Sequence, residues 1–285
     1  MDIATVLLQW ATGGLLFLWV TTRRREVGIG YGWLLRVTYG VFAALAFVTG
    51  RALEPVLLRE AASAGVVVAT VSALVVSVVR RRAGVAGERA EEARKAERVA
   101  AMTGRPPGLP PVEPPPADRS PEFPPWLDLV APVIGTVGLV AAALDAGGSP
   151  ALALLRTLTG AAFLGAVSDA MLLGHWYLVQ PGMARKPLLE LVRWLTLLWP
   201  VEVVALLLPT GMLSVLSGAI ADGYNGLLGY FWVACALATI VLCVVTRAAL
   251  KERYYSAVMA ATGFLYLAIL TSFGTDLVAR AVLAG

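Results

Sequence analysis

The chain has 285 residues, of which 58% are hydrophobic and only 15% are charged, and its formal net charge is +4. A soluble domain carries about 25% charged residues, so the composition excludes an ordinary soluble protein and predicts an all-α, polytopic helical bundle in a membrane. The basic residues follow apolar segments instead of forming one exposed basic face, so nucleic acid is not an expected partner. The expected partner is the lipid bilayer.

Apolar segments long enough to cross a bilayer recur along the whole chain. Each crossing needs about 20 mostly apolar residues, and the chain contains eight such segments. The predicted spans cover residues 3–21, 31–49, 61–79, 126–146, 151–179, 188–208, 225–246 and 256–278. The loop at 209–224 is weakly polar and suits a short interfacial helix. We therefore expect about eight transmembrane helices.

A charged and proline-rich stretch interrupts this pattern. The segment Glu88–Arg98 is charged on all sides and contains the i,i+4 pair Glu91–Lys95, which predicts a solvated extension of the third helix. Residues 105–125 contain repeated prolines, so they cannot be helical and predict a semi-rigid spacer. The chain divides into transmembrane helices one to three in 1–82, a cytoplasmic charged helix and Pro-rich linker in 83–125, and transmembrane helices four to eight in 126–285.

The basic clusters predict the orientation of the bundle. Each strong cluster follows an odd-numbered span, and the clusters are Arg23–Arg25, Arg80–Arg82, Arg185 with Lys186, and Arg247 with Lys251 and Arg253. Lys and Arg collect on the cytoplasmic side of a membrane protein. We therefore expect both termini outside and the Pro-rich linker inside, in a bacterial-type cytoplasmic membrane.

Two acidic residues fall inside predicted spans and are candidates for a proton or ion site. A charged group at the bilayer centre costs about 2.5–3.5 kcal/mol on insertion scales, so an acid inside a span is expected to have either a compensating partner or a function. Asp169 lies about 9 Å deeper than His175 along the fifth span. Glu202 follows Pro200 by two residues, and the missing N–H of that proline frees a carbonyl beside the acid. The alternative is that each acid pairs with an arginine or a neighbouring helix.

A second candidate site lies at the cytoplasmic ends of the fifth and sixth spans. The predicted depths of the two helices place a histidine, two aromatic residues, an acid and an arginine at the same level. These residues are His175, Trp176, Tyr177, Glu190 and Arg193. A histidine donor with flanking aromatic rings suits a quinone headgroup, and an arginine suits a lipid phosphate. The alternative is an aromatic belt with a snorkelling arginine.

Two further pairs of charged residues are predicted to be structural. Asp145 and Arg156 flank the Gly147–Pro150 turn at nearly equal distances, which predicts an ion pair across the outer end of a helical hairpin. Asp276 and Arg280 have i,i+4 spacing at the end of the eighth span. Paired charges are the ones that a membrane tolerates.

The sequence lacks the motifs of several kinds of cofactor-binding and catalytic site. One histidine does not provide bis-histidine haem ligation, and the sequence has no histidine or cysteine cluster for a metal ion. It also has no phosphate-binding loop and no Gly-x-Ser-x-Gly elbow. We expect no metal and no catalytic residues, with a quinone as the single cofactor to consider, and no enzyme activity of the chain on its own.

Three functions fit these patterns. The first is a non-haem membrane anchor or subunit of a larger complex with a quinone or proton site. The second is a small secondary transporter or channel that uses Asp169 and Glu202. The third is a structural or assembly protein without a ligand, whose helices pack through small residues.

A topological likeness accompanies the first function. Eight spans with both ends outside is similar to the anchor subunits of polysulfide- and dimethyl-sulfoxide-reductase-type complexes. The segment Gly274–Arg280 resembles the acid-to-arginine turn in their last span. The likeness covers seven of the 285 residues, and the histidine that such anchors carry early in the chain has no counterpart here. It implies other membrane or soluble subunits as partners.

Overall fold

A computed structural model of the chain describes residues 2–81, 85, 122–180, 183–252 and 254–284. In these ranges the protein is all-α, as predicted, with nine helices. The helices are α1 (Ile3–Thr22), α2 (Ile29–Ala52), α3 (Leu57–Val79), α4 (Leu127–Asp145), α5 (Pro150–Val179), α6 (Lys186–Leu207), α7 (Gly211–Leu216), α8 (Leu227–Lys251) and α9 (Tyr255–Ala284).

Seven of these helices are long and apolar enough to cross a membrane, namely α1 to α5, α8 and α9. The protein is therefore a multi-pass helical membrane protein. The sixth predicted span corresponds to α6, which has 22 residues but is not among the seven. Four charged residues explain this: Lys186, Glu190 and Arg193 lie in the first eight residues of α6, and Glu202 lies near its end.

The short helix α7 lies in the loop at 209–224, where the sequence suits such a helix. The fifth helix is the long one that the sequence indicates, with 30 residues from Pro150 to Val179. The predicted charged extension, its Glu91–Lys95 pair and most of the Pro-rich linker lie outside the described residues. The end of the linker is described from Glu122, and α4 begins five residues later.

The helix α1 forms the centre of the bundle and packs against α2, α4 and α5. It contains no charged residue, and small side chains let it approach α5 closely. A Cβ atom on Gly13 would overlap the carbonyl oxygen of Ala161, and one on Gly165 would overlap the backbone of Gly13. The two backbones therefore touch at this crossing, as small residues allow in membrane bundles.

The remaining helices complete the bundle around this central contact. Helix α3 packs on α2 and α4, whereas α9 packs on α5 and α8, and α6 packs on α5 and α8. The outer faces of the helices carry exposed apolar side chains, among them Val68, Val133, Leu237 and Leu270. Several ionisable side chains within the helices, among them Asp169, Glu202 and Asp276, are buried in the bundle interior, so the candidate sites lie between helices.

Candidate functional site: buried carboxylates between helices

A cluster of charged side chains lies where α6 and α9 meet α5. Glu202 from α6 and Asp276 from α9 are fully buried, and both lie beside the guanidinium of Arg280. Arg280 Nε donates to Asp276 Oδ1 at 2.6 Å, and Arg280 Nη2 lies 3.8 Å from Glu202 Oε1. We call Glu202, Asp276 and Arg280 the carboxylate–arginine cluster.

The backbone of α5 provides the space for this cluster. A Cβ atom on Gly160 would overlap Arg280 Nη2 and lie 2.7 Å from Asp276 Oδ1. The absence of a side chain at Gly160 therefore lets the guanidinium lie against the helix. There, Arg280 Nη2 donates to the carbonyl oxygen of Arg156 at 2.5 Å. The i,i+4 pair at the end of the last helix is thus part of a contact between three helices.

The position of Arg156 corrects the expected Asp145–Arg156 ion pair. Asp145 is exposed, whereas Arg156 Nε donates to the carbonyl oxygen of Ala205 at 3.1 Å and Nη2 to that of Leu208 at 2.5 Å. In a helix, the carbonyl of Ala205 would accept from residue 209, which is a proline without an N–H. Arg156 therefore satisfies the free carbonyls at the end of α6.

Glu202 is the least satisfied member of the cluster. Neither of its carboxylate oxygens has a hydrogen-bond partner in the described part of the chain, and Asp276 Oδ2 also lacks one. Glu202 interacts electrostatically with both Asp276 and Arg280. Two carboxylates thus share one buried guanidinium, which is the arrangement that can hold a proton or a small cation.

Asp169 occupies a separate site between α5 and α2. Its side chain is fully buried, and the hydroxyl of Tyr39 donates to Asp169 Oδ1 at 2.5 Å. The hydroxyl of Tyr31 donates to the backbone carbonyl of Asp169 at 3.2 Å. The second carboxylate oxygen, Oδ2, has no hydrogen-bond partner among the described residues. Among the described residues, Asp169 forms no salt bridge.

The two acids of the predicted proton or ion site therefore do not share a pocket. Asp169 lies nine residues beyond Gly160 on α5, so it is about 13 Å along the helix from the carboxylate–arginine cluster. The sequence named both acids as candidates, and the structure places Glu202 with Asp276 and Arg280. The rotation of α6 relative to α9 determines which residues Glu202 contacts. The periodicity of a single helix carries no information about that rotation.

The five residues of the predicted quinone or lipid site have different partners. His175 Nδ1 lies 2.8 Å from the hydroxyl of Tyr266 on α9, and Trp176 Nε1 donates to Gln180 Oε1 at 3.2 Å. The hydroxyl of Tyr177 donates to the carbonyl oxygen of Ala184.

The other two residues of that group lie on α6. Glu190 pairs with Arg23 at 2.5 Å and Arg24 at 3.2 Å, at the end of α1. Arg193 is exposed. Within the described ranges, no hydrogen bond or ion pair joins any of the five residues to another. The five side chains thus make separate contacts, of which the Glu190 pairs fix α1 to α6.

A buried ion pair between α2 and α4 was not found from the sequence. Arg36 and Asp128 form two parallel hydrogen bonds, Nε to Oδ1 and Nη2 to Oδ2, both at 2.8 Å. The ring of Phe123 lies 4.4 Å from the Arg36 guanidinium carbon, and Ser77 accepts a further hydrogen bond at 3.3 Å. Arg36 is an ionisable residue inside a predicted span, so the rule that identified Asp169 would also have identified it.

A second overlooked cluster lies at the opposite ends of the helices. Arg59 on α3 lies 2.7 Å from Glu60 Oε1 and also contacts Asp2, the residue that caps α1. Arg59 is almost fully buried. This cluster fixes the start of α1 to the start of α3. Arg59 forms a direct ion pair with each of the two carboxylates, so the cluster suits a structural role better than a ligand site.

A comparison of the chain with protein-family models, curated proteins and solved structures found no match. The class of protein is defined by the fold and the buried carboxylates: it is a multi-pass helical membrane protein with ionisable groups inside the bundle. No group of three or more His, Cys, Asp or Glu side chains that could hold a metal ion occurs in the described part of the chain.

Proposed function

We propose that this membrane protein binds and releases a proton at Glu202, as the coupling site of a small secondary transporter or channel. The observation that carries the proposal is that Glu202 is fully buried, that neither of its carboxylate oxygens has a hydrogen-bond partner among the described residues, and that its 3.8 Å ion pair is with an arginine already bonded to Asp276. By contrast, the five residues of the predicted quinone or lipid site make separate contacts and form no comparable buried site among the described residues.

Charge balance supports a proton on this carboxylate pair. With both acids ionised, the carboxylate–arginine cluster carries one excess negative charge, and an uncompensated ion in a protein interior costs several kcal/mol. A proton on Glu202 makes the cluster neutral. Arg156 lies at its edge and interacts electrostatically with Glu202, but its guanidinium donates to the carbonyls of Ala205 and Leu208 and to neither carboxylate. Loss of the proton then favours a rearrangement around Arg280, which is how proton binding couples to a change in helix packing.

Infrared spectroscopy of the purified protein in lipid tests this proposal. A protonated carboxyl group has its own C=O stretching band, which disappears on ionisation. We expect the wild-type protein to show such a band that titrates with pH and that is absent in Glu202→Gln. The matched control is Glu252→Gln, at an exposed glutamate, which leaves the band in place.

Proton movement into proteoliposomes gives the second measurement. An inside-negative membrane potential drives protons inward, and a pH-sensitive dye reports them. We expect Glu202→Gln to reduce the wild-type flux and Glu252→Gln to retain it. The proposal is wrong if the infrared spectra of wild type and Glu202→Gln contain the same carboxyl bands at every pH.

We also propose that α6 is an eighth membrane span and that both termini lie outside. Glu202 is enclosed by the bundle, and Lys186, Glu190 and Arg193 fall in the first eight residues of the helix, near the basic cluster. Exposed Leu197, Val201 and Val204 supply an apolar surface for lipid along the rest. The basic clusters support this orientation in a bacterial-type cytoplasmic membrane.

A further inference from the structure

A line of buried polar side chains runs along α9 from the carboxylate–arginine cluster toward the bundle centre. Arg280, Asp276 and Ser272 follow one another at four-residue intervals, so they lie on one face of the helix. Ser272 is fully buried, and its hydroxyl has no hydrogen-bond partner among the residues that the structure describes.

The hydroxyl of Ser272 differs from those of the three threonines on its helix. Serine and threonine inside membrane helices usually donate to a carbonyl four residues earlier. Thr262, Thr271 and Thr275 all do so on α9. A buried hydroxyl without a partner is unfavourable in a membrane interior, so the unused hydroxyl of Ser272 needs an explanation other than packing.

The register of α9 against α5 shows what Ser272 lies beside. Arg280 contacts the carbonyl of Arg156, and Thr262 donates to the carbonyl of Gly174 at 3.0 Å. Arg280 to Thr262 and Arg156 to Gly174 each span 18 residues, so the two antiparallel helices stay in step between these contacts. Ser272 is therefore level with residue 164 of α5.

The next polar groups along α5 are Ser168 and Asp169. Ser168 lies one helical turn, about 6 Å, beyond the level of Ser272. Its hydroxyl accepts a hydrogen bond from Trp10 Nε1 at 2.8 Å, which leaves its own proton available. Asp169 is the adjacent residue, and its Oδ2 atom is buried without a partner in the described ranges.

We propose that Ser272 and Ser168 form a proton path that links the carboxylate–arginine cluster to Asp169, which serves as a second proton-binding carboxylate. This inference rests on the proposed function of Glu202. The protonated carboxyl of the cluster gives its proton to the path, and Asp169 ends protonated while the cluster becomes ionised. Each hydroxyl accepts a proton on its oxygen and passes on the one that it carried, and water molecules bridge the gaps between these groups, which are offset by about 6 Å along the helix axes.

Time-resolved infrared spectroscopy after a pH jump tests the path in oriented proteoliposomes. The Asp169 band is assigned as the one that Asp169→Asn removes. We expect Ser272→Ala to slow the appearance of this band by about a hundredfold, while the Glu202 band keeps its amplitude. Ser272→Thr retains a hydroxyl and restores the rate, whereas Ser72→Ala, at an exposed serine on α3, leaves the rate unchanged.

The outcomes separate the two proposals. If Glu202 shows no titrating band, the proposed function fails and the path fails with it. If Glu202 titrates but Asp169 is protonated equally fast in Ser272→Ala and wild type, the path is wrong while the Glu202 site stands. A permanent Asp169 band that does not respond to pH would also overturn the role of Asp169.

Discussion

The buried acidic side chains of this protein are each compensated by a different kind of partner. Asp169 relies on a tyrosine hydroxyl, Asp128 on a bidentate arginine, and Glu202 on the edge of an arginine shared with Asp276. A charge-assisted bidentate pair is a strong and geometrically specific contact. The fully paired Asp128 therefore stabilises the fold, whereas Glu202 is the carboxylate that we propose to bind and release a proton.

The Arg36–Asp128 pair provides the clearest stability prediction. Replacing Arg36 by alanine leaves Asp128 buried without its cation, so we expect the free energy of unfolding to fall by about 3–5 kcal/mol. Thermal unfolding in detergent measures this. Arg193→Ala is the matched control, because Arg193 is exposed and should change stability little.

The double variant Arg36→Ala/Asp128→Ala adds a check on the mechanism. Removing both charges eliminates the unpaired ion, so this variant should recover part of the lost stability. Equal melting temperatures for Arg36→Ala and Arg193→Ala would contradict the role of the pair.

Asp222, in the loop before α8, provides a pH-dependent prediction. Its carboxylate accepts hydrogen bonds from the backbone N–H groups of Gly226 and Tyr224 at 2.9 Å and Leu228 at 2.8 Å. These bonds, led by that of Gly226, lower the pKa of Asp222 below its ordinary value. The folded pKa is lower than the unfolded one, so the stabilisation is present above the unfolded pKa and is lost as pH falls through the folded pKa.

Hydrogen exchange of the backbone amides measures this effect. We expect the amides of Tyr224, Gly226 and Leu228 to lose protection on acidification beyond the change in intrinsic exchange rate. Asp222→Asn cannot ionise, so the acid-induced loss should be missing in that variant. The same loss in both proteins would show that another group is responsible.

At the scale of helices, close backbone contact replaces the hydrophobic effect as the main means of association. Lipid tails are as apolar as the helix surfaces, so packing depends on how closely two helices approach. The α1–α5 crossing at Gly13 and Gly165 is an example, and Gly160 plays the same role for the Arg280 side chain. Glycine-rich positions therefore determine where the helices cross and where the cluster fits.

A pair of glycine substitutions tests this directly. Gly13→Ala places a methyl group on the carbonyl oxygen of Ala161, so we expect a loss of about 1–3 kcal/mol in stability from overpacking. Gly263→Ala is the control, because a Cβ there meets nothing within 4 Å. That change should be neutral or should stabilise α9 by up to about 1 kcal/mol. Thermal unfolding that shows equal effects for both would contradict the close crossing.

At the scale of the whole molecule, the proposed topology requires α6 to cross the membrane. The loop at Gly147 and the loop at Gly218 then lie on the same outer side, because α5 and α6 separate them. If α6 does not cross, the two loops lie on opposite sides. The Pro-rich linker is proposed to lie inside.

Cysteine labelling distinguishes these topologies. In a background where Cys235 and Cys243 are replaced by alanine, we expect Gly147→Cys and Gly218→Cys to react with a membrane-impermeant maleimide in intact cells. Ser120→Cys, in the Pro-rich linker, should react only after permeabilisation. Labelling of Ser120→Cys in intact cells, or protection of Gly218→Cys, would contradict the proposed arrangement.

The sequence by itself determined the class of protein and most helix positions. Runs of about 20 apolar residues have few stable alternatives to a membrane helix, because every backbone polar group must be satisfied internally in lipid. The predicted spans accordingly match α1 to α6, α8 and α9, with ends that differ by at most six residues. The cost of an ionisable group inside a bilayer was also enough to single out Asp169 and Glu202 as residues that need a partner or a role.

The tertiary structure alone decided which polar groups meet. Glu202 lies with Asp276 and Arg280, Arg156 donates to the carbonyl of Ala205 that Pro209 leaves free, and His175 contacts Tyr266 instead of Glu190 or Arg193. These outcomes depend on the rotation and register of one helix against another. Periodicity within a single helix does not specify them, because the bilayer accepts any apolar face and only interhelical packing selects between faces.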